Sequence, residues 1–312
     1  MNRLDDEGRA PPSTWARSLA SSKVTVPPAP ERVVARPRLD AALSSAHRPV
    51  TLVTANAGWG KSVAVRDWVT RVRRPVAWLT LDRSDDEATR FWHQVLDAIR
   101  AAVPGAGSEA ARLVRESGAL SDRFVAALAD DVARLDGGLT LVLDDIQLVD
   151  DPLVHARLTY LVEHAPSRLH LVVIARETPP LPIARWRARG TVTEVSEPEL
   201  AFRVEEAAAL LATFDGLRVA PEDVEALTAQ TEGWAMGLQL AALTLRRSPT
   251  RDRAHATRVG IARGARFLVH EVVAREPRDV RDFLYATSVV DVLNPSLCRA
   301  LTGRDDAPAM LR

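Results

Sequence analysis

Residues 50–62 read V-T-L-V-T-A-N-A-G-W-G-K-S. The first half is an apolar run of the kind a buried strand carries, and Gly60-Lys61-Ser62 is how a phosphate-binding loop ends. The full pattern is G-x-x-x-x-G-K-[ST], set between a strand and a helix. Its first glycine falls on Ala55, so the stretch is either a nucleotide site with one unusual residue or a chance G-K-S. Such a loop works because successive backbone N–H groups line one concavity at the start of a helix whose dipole favours an anion. Gly58 and Gly60 permit the unusual dihedrals and the close approach of backbone to phosphate. Alanine can adopt many of the dihedrals that glycine adopts, so Ala55 is compatible with the loop. On this reading Ala57, Gly58, Trp59, Gly60, Lys61, Ser62 and Val63 surround the phosphates of a nucleotide. Lys61 contacts the β- and γ-phosphates and serves catalysis, and Ser62 binds Mg²⁺ through its hydroxyl. Trp59 either covers the nucleotide or faces solvent.

The flanking sequence supplies the context that the motif requires. Val65, Trp68, Val69 and Val72 recur at helical spacing over 61–73. Strands are expected at 50–55, 76–81, 139–143, 169–175 and 191–195, alternating with helices over roughly 86–103 and 121–135. Phe91, Val95, Ile99 and Val103 mark one face of the first of these, and Ser121 is the expected N-cap of the second. A further helix starts with Asp151 as N-cap and Pro152 at its first position. Nearly continuous apolar strands alternating with helices predict an α/β fold whose central five-stranded parallel sheet is covered on both faces. Ligands of such sheets gather at the carboxyl ends of the strands. Three candidate groups lie there: the loop after the first strand, Asp144-Asp145 after the third, and Arg176 after the fourth.

Two adjacent carboxylates at a strand end can hold a hydrated Mg²⁺ with Asp144 and orient an attacking water with Asp145. The bland reading is a turn or helix-capping pair. Arg176 can reach a γ-phosphate, or it can sit in a surface salt bridge. Arg185, Arg187 and Arg189 could touch phosphate or nucleic acid, but a solvated helix face is the preferred reading. The seven histidines form no zinc-binding spacing, and no serine or cysteine sits in a nucleophile-elbow context.

Beyond residue 200 the strands cease, and helices are expected at 204–214, 221–231, 234–247, 265–275 and 277–288. The expected organisation is a tail over 1–30, a nucleotide-binding domain over 31–200, a helical subdomain over 201–247, a linker over 248–264, and a last domain over 265–312. Lys plus Arg equals Asp plus Glu at 41 each in a chain of 312 residues, so no excess basic charge marks a nucleic-acid surface. The single cysteine, Cys298, excludes an intramolecular disulfide within these residues. No apolar run reaches the length of a membrane span, and the N-terminal residues have no secretory pattern. A cytoplasmic chain without membrane contact fits this composition.

Several separate stretches together resemble one family. They are K-V-T-V-P-P with V-A-R-P-R-L, A-N-A-G-W-G-K-S, V-A-W-L-T-L-D, L-V-L-D-D-I-Q-L-V, P-P-L-P-I-A-R-W-R-A-R-G and T-E-G-W-A-M-G-L-Q-L-A-A-L. Over about 22–312 the chain resembles the N-terminal half of the large ATP-binding LuxR-type, MalT-like transcription regulators, which are signal-transduction ATPases with numerous domains (STAND). The loop of that family typically opens with alanine, which accounts for Ala55. The resemblance implies a P-loop NTPase followed by a helical subdomain and the start of a winged-helix domain. It implies an ATP/ADP switch with slow Mg-dependent hydrolysis, ADP holding a closed monomer and ATP with an inducer allowing self-association.

By the same resemblance Arg36 and Leu39 lie near the adenine, and Arg176 senses the γ-phosphate. Gly233-Trp234-Ala235 falls where relatives carry G-x-P, and the proline is absent here. The helices from 265 onward would begin a winged helix that the chain ends inside. The sensor domain that receives a small-molecule inducer or protein regulator, and the DNA-binding helix-turn-helix, would then lie outside this sequence, as in a fragment or a truncated gene. Direct DNA binding by these residues is not expected. Two other readings are a remodelling ATPase of the AAA+ kind, which needs fast turnover and a neighbour's arginine, and an interaction scaffold that has lost its nucleotide.

Overall fold

The computed structural model describes residues 23–44, 48–117, 122–165, 168–247, 277–290 and 293–311. The chain divides into two compact units, Met1–Ala201 and Phe202–Arg312. The expected cap Ser121, the expected linker and the helix expected at 265–275 fall outside the described residues.

In the first unit the order is α1 Pro37–Leu43, β1 Val50–Thr54, α2 Lys61–Val69, β2 Val76–Thr80, α3 Ala88–Ala102, α4 Ser108–Ser117, α5 Asp122–Ala133, β3 Leu139–Asp144, α6 Pro152–His164, β4 Leu169–Ala175, α7 Ile183–Ala188, β5 Val192–Val195 and the single-turn α8 Glu197–Leu200. The five strands form one sheet in the order β2-β3-β4-β1-β5. Every pairing is parallel. β3 and β4 are buried at all positions, which is why their sequences read as nearly continuous apolar runs.

Period-two alternation divides the core into two layers. Leu139, Leu141 and Leu143 of β3 and Leu169, Leu171, Val173 and Ala175 of β4 face a cluster with Phe91, Trp92 and Ile99 of α3, Phe124 and Leu128 of α5, and Leu158 of α6. Val142, Val172, Ile174 and Val53 point the other way, onto Leu39 and Leu43 of α1 and Ala64, Val65, Trp68 and Val69 of α2. On that second face Thr51 Oγ1 lies 2.8 Å from His170 Nε2, and Trp68 meets the same imidazole edge-on at 5.6 Å.

Helix α6 starts as its sequence predicts, with the Asp151 carboxylate accepting from the Leu153 N–H at 2.8 Å and Pro152 at the first position. Helix α3 begins one residue after Glu87, whose carboxylate accepts from the N–H groups of Thr89 and Arg90. α2 stops at Val69, four residues before the expected end, because the Trp68 and Val69 carbonyls turn to the N–H groups of Arg71 and Val72. α1 and α4 were not expected from sequence.

The second unit contains α9 Val204–Ala212, α10 Pro221–Gln230 and α11 Ala235–Arg247, with Leu210, Leu211, Leu227, Leu238 and Ala241 buried. Between α10 and α11 the chain turns through two left-handed residues, Glu232 and Gly233, with φ of 52° and 72°. α12 Arg278–Thr287, α13 Pro295–Thr302 and α14 Ala307–Met310 follow. Phe283, Cys298 and Ala307 form their shared core, so the lone cysteine is a packing residue. No helix among the described residues is long and apolar enough to cross a membrane.

Candidate functional site

β1 ends at Thr54, and the chain turns through Ala55 to Gly60 before α2 begins at Lys61. Gly58 and Gly60 hold φ of 81° and 78°, the left-handed region that a side chain disfavours. Ala55, in contrast, is buried against the α2 face, where its methyl group joins the core. It sits where the strand leaves the sheet and its N–H still bonds the Ala175 carbonyl, so no glycine conformation is required there. Trp59 packs partly against the same cluster, so its indole is neither a free solvent group nor fully buried.

Lys61 is buried, and its Nζ donates to the carbonyls of Ala55 at 2.7 Å and Asn56 at 2.9 Å. Burial lowers the ammonium pKa below its ordinary value, a shift opposed by the charge of Asp145 and reinforced by that of Arg176. Ser62 Oγ donates to Asp144 Oδ1 at 2.9 Å, which joins the start of α2 to the end of β3 across the intervening end of β4. Burial pushes the Asp144 carboxyl up to about 6, and the neighbouring charge of Asp145 adds to the effect; the Ser62 hydrogen bond and the Lys61 charge oppose it. An anionic Asp144 is therefore costly in this position unless a cation joins it.

Asp145 is held at φ 63°, rare for a residue with a side chain, and starts a turn of 3₁₀ helix over Ile146–Leu148. That turn brings in Gln147, which sequence reasoning did not single out. Gln147 Nε2 donates to Asp145 Oδ1 at 2.8 Å, while its Oε1 accepts from the Arg176 N–H at 3.1 Å. One amide thus ties the second carboxylate of β3 to the first residue after β4. The Arg176 side chain is half-buried and makes no ion pair among the described residues, so the surface salt bridge considered for it is not formed. Arg185 and Arg189 share Glu163, and Arg187 pairs with Glu194, so each arginine of this cluster has a carboxylate partner on its own surface.

The sheet thus brings Gly58, Gly60, Lys61, Ser62, Asp144, Asp145 and Arg176 to one edge. Ala57 stands within the same loop, and Val63 is the third residue of α2, exposed on its outer side. Arg36 lies at the N-cap of α1, buried, with Nη1 donating to the Leu200 carbonyl at 2.8 Å. The arginine's partner among these bonds is α8, an element that carries no sequence motif. Gly233 and Trp234 belong to the second unit.

The donor set suits Mg²⁺. A hydroxyl and a carboxylate oxygen meet at its entrance, both hard ligands, and Mg²⁺ is commonly held by one or two protein oxygens with phosphate and water completing the shell. No cluster of three or more acidic, histidine or cysteine side chains able to hold a metal alone occurs among the described residues.

Two family models match this sequence. One, described as an AAA ATPase domain, covers residues 32–174; the other, described as a MalT winged helix domain, covers 269–312. The chain is 33% identical over 289 residues to the serine/threonine-protein kinase PknK of Mycobacterium tuberculosis, covering 89% of this chain and 26% of that protein. It is 32% identical over 299 residues to the HTH-type transcriptional regulator MalT of Yersinia enterocolitica, covering 94% of this chain and 33% of that protein. The chain therefore spans about a quarter to a third of the length of these curated relatives. A solved STAND protein with a tetratricopeptide repeat sensor, from Pyrococcus horikoshii, superposes with a TM-score of 0.54 at 17% identity, over 93% of this chain and 40% of that one. That likeness concerns the fold.

Proposed function

We propose that this chain, which matches the models of an AAA ATPase domain and of a MalT winged helix domain, is an ATP/ADP switch controlling a larger regulator. The observation that carries this reading is the 2.9 Å hydrogen bond from Ser62 to Asp144, beside a buried Lys61. It joins the end of a phosphate loop to an acidic strand end, the arrangement that a Mg-nucleotide requires.

The N–H groups of residues 57–62 cradle the phosphates at the start of α2, and Lys61 turns from the Ala55 and Asn56 carbonyls toward the β- and γ-phosphates. Ser62 and Asp144 would hold Mg²⁺, which when bound neutralises phosphate charge. Asp145 accepts the proton of an attacking water, and Arg176 contacts the γ-phosphate and distinguishes ATP from ADP. Arg36 fixes the segment beside the adenine. Hydrolysis is slow in this reading, and Gln147 orients the Asp145 carboxylate through a hydrogen bond to Oδ1.

ADP favours a monomer and ATP favours self-association, with inducer or regulator acting on parts of the larger protein. Sedimentation of the chain with Mg·ADP and with a non-hydrolysable ATP analogue tests the switch. Larger species with the analogue alone, lost in Arg176→Ala, would support it. Identical sedimentation in both, with both nucleotides bound, would contradict it.

A further inference from the structure

We propose that Glu197 is a positioning residue of the phosphate loop, fixing through Asn56 the peptide on which Lys61 is seated. The proposal rests on the nucleotide reading above and adds a residue that lies outside the loop and its motif. Glu197 is the first residue of α8, just beyond β5. Its Oε1 accepts from both the backbone N–H and the side-chain Nδ2 of Asn56, each at 2.9 Å. The carbonyl of the same Asn56 accepts from Lys61 Nζ at 2.9 Å. A carboxylate, a loop residue and the phosphate-binding ammonium therefore form one continuous chain of hydrogen bonds.

The carboxylate is held in place from behind. A four-residue helix has little stability of its own. α8 is fixed at its start by a reciprocal Ser196–Glu199 box. At its end Arg36 donates to the Leu200 carbonyl, and Arg38 donates to the carbonyls of Glu199 and Ala201. These are the carbonyls that a helix terminus leaves unsatisfied. Two arginines of the segment before β1 thus brace the turn that presents Glu197.

The charge argues for the same role. A carboxylate near a polyphosphate site repels the ligand, and the negative charge of Glu197 reaches Lys61. Placed there, it helps binding only through the donors it organises. Glutamine at this position keeps an acceptor for both Asn56 donors and removes the repulsion; alanine removes both.

The test is calorimetric binding of Mg·ATP to the whole chain, to Glu197→Gln and to Glu197→Ala, with and without Asn56→Ala, alongside thermal unfolding without nucleotide. The expected order is Gln at least as tight as the wild type, and Ala weaker by about tenfold. The effect of Glu197→Ala should shrink when Asn56 is already alanine, because the side-chain half of the contact is then gone. Two results would overturn the proposal: Glu197→Ala less thermostable with unchanged affinity, which is a structural role only, or Glu197→Gln as weak as Glu197→Ala. A wild-type chain that folds and binds no nucleotide would overturn the nucleotide reading and this proposal with it.

Discussion

Asp144 meets two opposed demands. Its carboxyl is raised to about 6 by burial and by the adjacent Asp145, so the folded chain prefers it protonated. A raised carboxyl gives stability that is complete below its unfolded pKa, near 3.8, and is lost as pH rises through about 6. At neutral pH the charged group costs on the order of 1–3 kcal/mol in the absence of a cation. Asp144→Asn keeps an acceptor for Ser62 and removes this cost. It should therefore unfold at higher urea concentration than the wild type at pH 7, by a stability difference of about 1–3 kcal/mol. The same variant should show no gain in nucleotide affinity on addition of Mg²⁺. A variant less stable than the wild type at pH 7 would place the Asp144 charge among the stabilising interactions instead. The convergence of Lys61, Ser62 and Asp144 at one end of the sheet was legible because each has a fixed place in a recurring pattern. Gln147 and Glu197 were not: they act by hydrogen bonds whose geometry depends on turns, and Glu197 is 141 residues from its partner.

At the scale of elements, α2 couples the loop to the core. Its first residue is Lys61, and Val65, Trp68 and Val69 fasten it to the face presented by β1, β3 and β4. Trp68 is buried, and its indole N–H donates to Ser44 Oγ at 2.8 Å. Trp68→Ala should destabilise the first unit by about 3–5 kcal/mol and weaken nucleotide binding as α2 loosens, both measurable by chemical unfolding and titration. His170 of β4 lies against that indole with its pKa lowered to about 4, chiefly by burial, with the Arg74 charge adding to it. The folded chain excludes a proton that the unfolded chain takes up below pH 6.5. Stability is thus intact above that pH and falls toward pH 4, by about 3 kcal/mol in total. His170→Gln retains a partner for Thr51 and titrates no proton, so its urea midpoint should fall less over this window. β3 and β4 were readable because burial at every position leaves a nearly continuous apolar run, whereas β5, Val-Thr-Glu-Val with Glu194 exposed, was readable from its β-branched residues. α4 was not: its buried residues are the small Ala110 and Ala111, and the preceding Gly105 and Gly107 read as loop. α1 is seven residues long and too short to declare a period.

At the scale of the molecule, the 41 basic and 41 acidic residues balance, so the composition supplies no excess positive charge for a polyanion. The three arginines over 185–189 each meet a carboxylate, Arg185 and Arg189 sharing Glu163 and Arg187 meeting Glu194, which offsets most of the positive charge there. Fluorescence anisotropy with duplex DNA at physiological salt should give binding no tighter than about 10⁻⁶–10⁻⁴ M, the non-specific range. Submicromolar binding would show a reader that the composition conceals. The loop over 55–62 and the end of β3 are proposed to form one working nucleotide site. Calorimetric titration of the chain and of Lys61→Ala with ADP and ATP, with and without Mg²⁺, tests it most directly. The wild type should bind both nucleotides saturably and more tightly with Mg²⁺, and Lys61→Ala should bind neither. A folded wild type that binds neither nucleotide, or a Lys61→Ala variant that binds as the wild type does, would contradict it.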